Sequence, residues 1–89
     1  MDIKKIFFFK GINLLIKIKE LNKKDCYGLK LSKFTNIGYA RVHQLLNCFE
    51  KEGIIKFEKL NKRTNIVTLT DKGEKLTENF IKIKQLLKK

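Results

Sequence analysis

Residues 29–53 read LKLSKFTNIGYARVHQLLNCFEKEG, and their apolar spacing predicts two helices joined by a tight turn. The first helix is short and directs Leu31 and Phe34 inward. Over 39–52, apolar residues recur at i, i+3, i+4 and i+7, which is the stripe of a surface helix. The order of these segments predicts a helix-turn-helix over residues 29–52.

The joint between the two helices has its own pattern. Counted back from Val42, Ile37 lies at −5 and Leu31 at −11, so these three side chains would pack the helices together. Ser32 is small enough to let the helices approach closely. Asn36 occupies the turn, where a positive φ is needed. Gly and Asn adopt that conformation at the lowest energetic cost. We therefore expect the chain to reverse at Asn36.

A hairpin is predicted directly after this unit. Gly53 stands where a helix C-terminus favours a left-handed residue. Residues 54–60 and 64–70 are rich in β-branched residues, and the polar turn Asn61-Lys62-Arg63 separates them. Such a pair predicts two antiparallel strands. Residues 54–70 are therefore predicted to be the wing of a winged helix-turn-helix.

Helices are expected on both sides of this central part. Residues 3–21 repeat apolar side chains every three to four positions, although residues 3–9 could instead be extended. A last helix begins at Asp71 with Glu74 as its capping box, or at the rival cap Thr70. Residues 11–21 and 71–88 are candidate dimerisation helices. The seam that favours pairing consists of Leu76, Phe80, Ile83 and Leu87.

The 89 residues fit one domain, and a core of this size makes an oligomer plausible. We find no proline, no repeat and no linker in the sequence. Residues 26–28 could hold a short extended piece. The predicted class is α+β and mostly helical: a winged helix-turn-helix over 1–89, with a two-stranded wing and flanking N- and C-terminal helices.

Two short motifs resemble those of a known family. Phe49-Glu50-Lys51-Glu52-Gly53-Ile54-Ile55 is similar to the L-E-x-x-G-L-I end of a recognition helix, and Leu69-Thr70-Asp71-Lys72-Gly73 is similar to L-T-x-x-G. Both are typical of MarR-like winged-helix transcription regulators, and the resemblance covers residues 29–76. It implies that Arg63 is the wing arginine that reaches the minor groove, whose negative potential favours arginine. Asn61 stands where the family often places an acidic residue that braces this arginine.

The outward face of the second helix is the candidate DNA-contacting surface. Gln44 and Asn47 suit adenine, and Arg41 suits guanine or phosphate. Tyr39 could hydrogen-bond a phosphate oxygen. The alternative is that polar residues simply occupy the solvated side of this helix, as they do in every surface helix. The candidate DNA-binding set is Tyr39, Ala40, Arg41, His43, Gln44 and Asn47 on the helix and Lys59, Lys62 and Arg63 on the wing.

Charge points to a polyanionic partner. The chain has 21 Lys and Arg against 9 Asp and Glu, a net charge of +12. Nucleic acid, an anionic membrane surface and acidic proteins all fit this surplus, and a compositional bias toward lysine could supply part of it.

The cysteines and the single histidine limit the chemistry. Cys26, Cys48 and His43 are too few for a four-ligand zinc site, so neither metal nor cofactor is expected. Two cysteines without a secretion signal favour reduced thiols in the cytoplasm. The apolar run that contains Phe7, Phe8 and Phe9 is too short to span a bilayer.

The leading hypothesis is a sequence-specific regulator of transcription that binds double-stranded DNA as a homodimer and acts by promoter occupancy. The alternative is a winged-helix protein-interaction module in a transcription or replication assembly. A third hypothesis is a peripheral membrane protein that uses Phe7 to Phe9. An enzyme is not expected, because no catalytic or nucleotide-binding constellation is present. A small-molecule effector is left open.

Overall fold

The computed structural model describes the backbone of residues 3–87 and the side chains of residues 10–87. Four helices and a two-stranded antiparallel sheet follow one another in the predicted order. They are α1 (Ile3–Glu20), a 3₁₀ turn (Lys23–Asp25), α2 (Gly28–Thr35), α3 (Tyr39–Lys51), β1 (Ile55–Lys59), β2 (Asn65–Leu69) and α4 (Asp71–Leu87). Because α1 begins at Ile3, the alternative of an extended segment over 3–9 is wrong. The side chains of Phe7, Phe8 and Phe9 lie outside the described residues, as does position 88 of the predicted last helix.

The core forms where the apolar faces of the helices meet the inner face of the sheet. Burial of each large side chain stabilises the fold by roughly 1.5–3 kcal/mol. The apolar stripe predicted on α3 consists of Val42, Leu45, Leu46 and Phe49. The first three are buried, and Phe49 is half-buried against the same core. The central core residues are Leu14, Leu15, Ile18, Leu31, Val42, Leu45, Leu46, Ile55 and Val67.

The predicted turn between α2 and α3 is confirmed. Asn36 has φ 58° and ψ 31°, the left-handed conformation that its position required. The Ser32 hydroxyl donates a hydrogen bond to the Ile37 carbonyl at 2.6 Å, which closes the turn from the α2 side. Leu31 and Ile37 are buried beneath it.

One inward residue of α2 was predicted wrongly. Phe34 is 49% exposed, and the ammonium of Lys30 lies 5.7 Å from the centre of its ring. α2 has only eight residues, and it packs on α1 and α3 along the narrow side that carries Leu31. Phe34 lies at the margin of that side, one residue before the helix ends, and its ring therefore stays at the surface.

The wing is a regular hairpin in which Phe57 pairs with Val67 and Lys59 with Asn65. The extended piece expected at 26–28 is reduced to one backbone contact, in which the Val67 amide donates to the Cys26 carbonyl at 2.7 Å. Tyr27 has an extended backbone with φ −132° and ψ 163°, and α2 begins directly after it at Gly28, so the extended piece is shorter than predicted.

Thr70 joins the wing to α4. Its amide donates to the Ile54 carbonyl at 3.0 Å, and its hydroxyl donates to the Gly53 carbonyl at 2.6 Å. The same hydroxyl accepts the Gly73 amide at 3.1 Å, so Thr70 rather than Asp71 caps the helix. α4 then runs antiparallel to α1.

Candidate nucleic-acid interface

α3 presents a polar surface opposite its buried stripe. The helix begins after Gly38, whose φ of −55° and ψ of 144° are not helical. The predicted residues Tyr39, Ala40, Arg41, His43, Gln44 and Asn47 are all exposed on this surface.

Two neighbouring grooves connect α3 to the wing. The first encloses about 290 Å³ between the starts of α2 and α3 and the wing tip, and it brings Tyr39 and His43 of α3 together with Arg63. The second encloses about 280 Å³ between α3 and the sheet, and its rim includes His43 and Asn47. Because His43 borders both, the grooves form one continuous surface. Ala40, Arg41 and Gln44 lie on the outer side of α3 and line neither groove.

The first groove has a third wall that the sequence did not indicate. Tyr27, Gly28 and Leu29, at the start of α2, line it with α3 and the wing. No periodicity or charge in these residues marks them as surface of functional interest. The one signal in the sequence is Gly28, a glycine at the beginning of a predicted helix.

The rings of Tyr39 and His43 form an edge-to-face pair. Their centroids are 4.4 Å apart and the ring planes are inclined by 75°. One helical turn separates the two residues, which lets aromatic rings at i and i+4 meet. The pair projects into the first groove beside Gly28.

Asn61 organises the wing tip. Its side-chain oxygen accepts hydrogen bonds from the backbone amides of Arg63 and Thr64, each at 2.9 Å. The Thr64 carbonyl accepts the Leu60 amide at 2.9 Å across the same turn. Asn61 thus shapes the backbone that carries Arg63. Lys59, Lys62 and Arg63 are all exposed at this end of the hairpin.

Acidic residues are absent from both segments that build this surface. Residues 26–49 and 59–70 contain neither Asp nor Glu. Elsewhere, carboxylates pair with lysines. Lys19 bonds Glu74 at 2.6 Å, and this hydrogen bond raises the pKa of Lys19. Lys23 bonds Glu58 at 2.8 Å, and this hydrogen bond lowers the pKa of Glu58. The charged side chains of residues 26–49 and 59–70 are consequently all basic.

Neither a metal-binding cluster nor a membrane-spanning helix is found in the part of the chain that the structure describes. Within residues 10–87 no group of three His, Cys, Asp or Glu side chains could hold a metal ion. None of the described helices is long and apolar enough to cross a membrane. Both cysteines are free; Cys26 is buried and Cys48 is exposed.

This arrangement of helix, turn, helix, hairpin and closing helix defines a winged helix-turn-helix protein. Comparison with known proteins finds no matching family model and no significant match among curated protein sequences. Solved structures do match. AF1382 from Archaeoglobus fulgidus has a TM-score of 0.82 and 28% identity, over 98% of this chain and 97% of that one.

Two further matches are transcription regulators. MepR, a regulator of the multidrug efflux pump MepA of Staphylococcus aureus, has a TM-score of 0.79 and 20% identity, over 96% of this chain and 66% of its own. Sco3205, a MarR family transcriptional regulator from Streptomyces coelicolor solved in complex with DNA, has a TM-score of 0.71 and 25% identity. That match covers 79% of this chain and 45% of Sco3205, so this chain spans less than half of that regulator. The chain thus shares its winged-helix fold with transcription regulators, among them the MarR family protein Sco3205.

Proposed function

We propose that the chain is a transcriptional regulator that binds double-stranded DNA in a sequence-specific manner and acts by occupying a promoter. The observation that carries the proposal is the groove in which His43 of α3 faces Arg63 of the wing, on segments free of carboxylates. A helix and a wing tip on one positive surface can contact the major groove and the adjacent backbone together. The DNA in the Sco3205 complex supports this assignment.

Seven of the nine predicted contact residues have a role that suits their chemistry. Gln44 and Asn47 would read adenine edges, and Arg41 would bind guanine or phosphate. Tyr39 would bond a phosphate oxygen, and Arg63 would enter the minor groove. The exposed lysines of the wing, Lys59 and Lys62, would add phosphate contacts that do not depend on sequence.

The proposal includes a homodimer formed through the end of α4. Of the predicted seam, Leu76 and Phe80 pack on the core of their own chain. Ile83, Leu86 and Leu87 remain 51%, 68% and 74% exposed in the last turns of α4. A second copy that covers these side chains would place two recognition helices on successive half-sites about 34 Å apart. Sedimentation equilibrium tests this point, since Leu86→Lys should shift a dimer toward the monomer.

Fluorescence anisotropy with a duplex selected from random-sequence DNA tests the function itself. The logarithm of affinity should fall linearly with the logarithm of salt concentration, by about 0.9 for each neutralised phosphate. Arg63→Ala should weaken binding and reduce that slope by about 1. Lys75→Ala is the matched control, because Lys75 is an exposed cation on α4.

A flat salt dependence, or equal losses in Arg63→Ala and Lys75→Ala, contradicts the proposal. A different result supports the alternative function. If Gln44→Ala and Arg63→Ala leave duplex affinity unchanged while the chain captures an acidic protein, the winged helix is a protein-interaction module.

A further inference from the structure

The start of α2 leaves space for the rings of the recognition helix. A Cβ atom on Gly28 would lie 3.0 Å from Nε2 of His43 and 3.1 Å from Cε2 of Tyr39. Such distances are shorter than ordinary van der Waals contact. Gly38, in contrast, has no atom within 4 Å of the position that its Cβ would take. The missing side chain at position 28 therefore matters to the two rings.

Backbone geometry does not explain this glycine. Gly53 is the glycine with positive φ among the described residues, so Gly28 has a backbone that alanine can adopt. Position 28 also begins a helix, and alanine is favoured over glycine within helices. Local stability alone would thus favour alanine here, and the remaining reason for glycine is the space it leaves.

A methyl group at position 28 would move the rings rather than unfold the chain. Tyr39 and His43 are exposed on the groove side, so both can rotate toward solvent. The edge-to-face contact couples them, which means that displacement of one ring disturbs the other. Both rings line the groove shared with Arg63, and displaced rings would narrow it.

We infer that Gly28 is a positioning residue that seats the Tyr39–His43 ring pair against the start of α2 and thereby makes His43 a determinant of DNA sequence specificity. The inference rests on the proposed DNA-binding function. A ring held by a helix start on one side and by a second ring on the other presents its nitrogen atoms in a fixed direction. A fixed donor or acceptor discriminates between base edges, whereas a mobile one contributes mainly to non-specific attraction.

The test compares Gly28→Ala with Gly38→Ala, each measured on a duplex selected by the wild-type chain and on a shuffled duplex. Gly28→Ala should weaken binding to the selected duplex by about tenfold, the loss typical of one base contact. Its affinity for the shuffled duplex and its melting temperature should stay near the wild-type values. Gly38→Ala should change neither affinity by more than about twofold.

A second background separates positioning from direct contact. In His43→Ala, the added substitution Gly28→Ala should cost less than about twofold, because the ring that it displaces is gone. An equal loss in both backgrounds would show that residue 28 itself touches DNA and would overturn the inference. Wild-type affinity in Gly28→Ala, or equal losses in Gly28→Ala and Gly38→Ala, would overturn it as well.

If Gly28→Ala does not fold, the wild-type chain supplies the decisive measurement. The Gly28 Hα protons and the His43 ring proton on Cε1 should give a nuclear Overhauser contact, and its absence from the folded protein overturns the inference. Failure of the proposed function looks different, because the wild-type chain would then bind no duplex.

Discussion

Gly73→Ala tests the junction between the wing and α4. Gly73 is buried in the first turn of α4, and a Cβ atom there would overlap the Ile54 carbonyl oxygen. It would also lie 3.0 Å from the Ile54 carbonyl carbon. A backbone carbonyl cannot rotate away as a side chain can, so the first turn of α4 would have to move.

The cost follows from the contacts that this movement breaks. Thr70 bonds the Ile54 and Gly53 carbonyls at 3.0 and 2.6 Å, and each hydrogen bond contributes about 1 kcal/mol to stability. Overpacking adds about 1–3 kcal/mol, and the helix preference of alanine offsets about 1 kcal/mol. We expect a net loss of about 2–4 kcal/mol in the free energy of unfolding.

In a domain of this size that loss lowers the melting temperature by about 10–25 °C. Thermal and urea unfolding followed by far-ultraviolet circular dichroism would measure it. Gly38→Ala is the control, since nothing surrounds its Cβ position, and Gly53→Ala should be intermediate because its φ of 73° strains an alanine. If Gly73→Ala has the same melting temperature as Gly38→Ala, the reasoning about this junction is refuted.

Three further predictions concern the wing, the core and the thiols. Asn61→Ala removes the acceptor of two backbone amides at the wing tip and should weaken duplex binding about fivefold in anisotropy measurements, whereas Asn61→Asp keeps the turn. Thr77 is fully buried, and its hydroxyl has no hydrogen-bond partner among the residues that the structure describes. Thr77→Val should therefore raise the free energy of unfolding by about 1 kcal/mol, and a lower value in urea titration would contradict this. Burial, with the charge of Asp25, raises the pKa of the Cys26 thiol. Mass spectrometry after iodoacetamide treatment should find one modified cysteine, Cys48, in the folded chain and two after denaturation.

Local patterns in the sequence were sufficient to predict the elements of the fold. The stripe on α3, the left-handed turn at Asn36 and the polar tip of the hairpin each depend on neighbouring residues. Helical periodicity and the residue preferences of turns depend on residues that are close in sequence, so they can be recognised without the structure. Phe34 shows the limit, because its burial depended on how far α2 extends beneath α1 and α3.

The candidate site was predictable only in part, for a related reason. The exposed face of α3 follows from its buried face, so Tyr39, His43 and Asn47 could be named from spacing alone. The wall at the start of α2 could not, because Gly28 and His43 are fifteen positions apart and meet only through the packing of two helices. Asn61 is a similar case: its identity suggested a lost brace for Arg63, but its bonds to backbone amides give it a different role.

The distribution of acidic residues connects the composition of the chain to its proposed function. A net charge of +12 could be spread evenly, and it would then favour no orientation on a polyanion. Among the described residues, several carboxylates pair with lysines of α1, β1 and the 3₁₀ turn, as Lys19 and Glu74 or Lys23 and Glu58 do, and Asp25 lies 3.9 Å from Lys30 of α2. Residues 26–49 and 59–70 carry basic side chains and no carboxylate of their own. Under the proposed function, a duplex that contacts these two segments would meet cations and no repelling carboxylate within them, and this charge placement would favour the docking of DNA there.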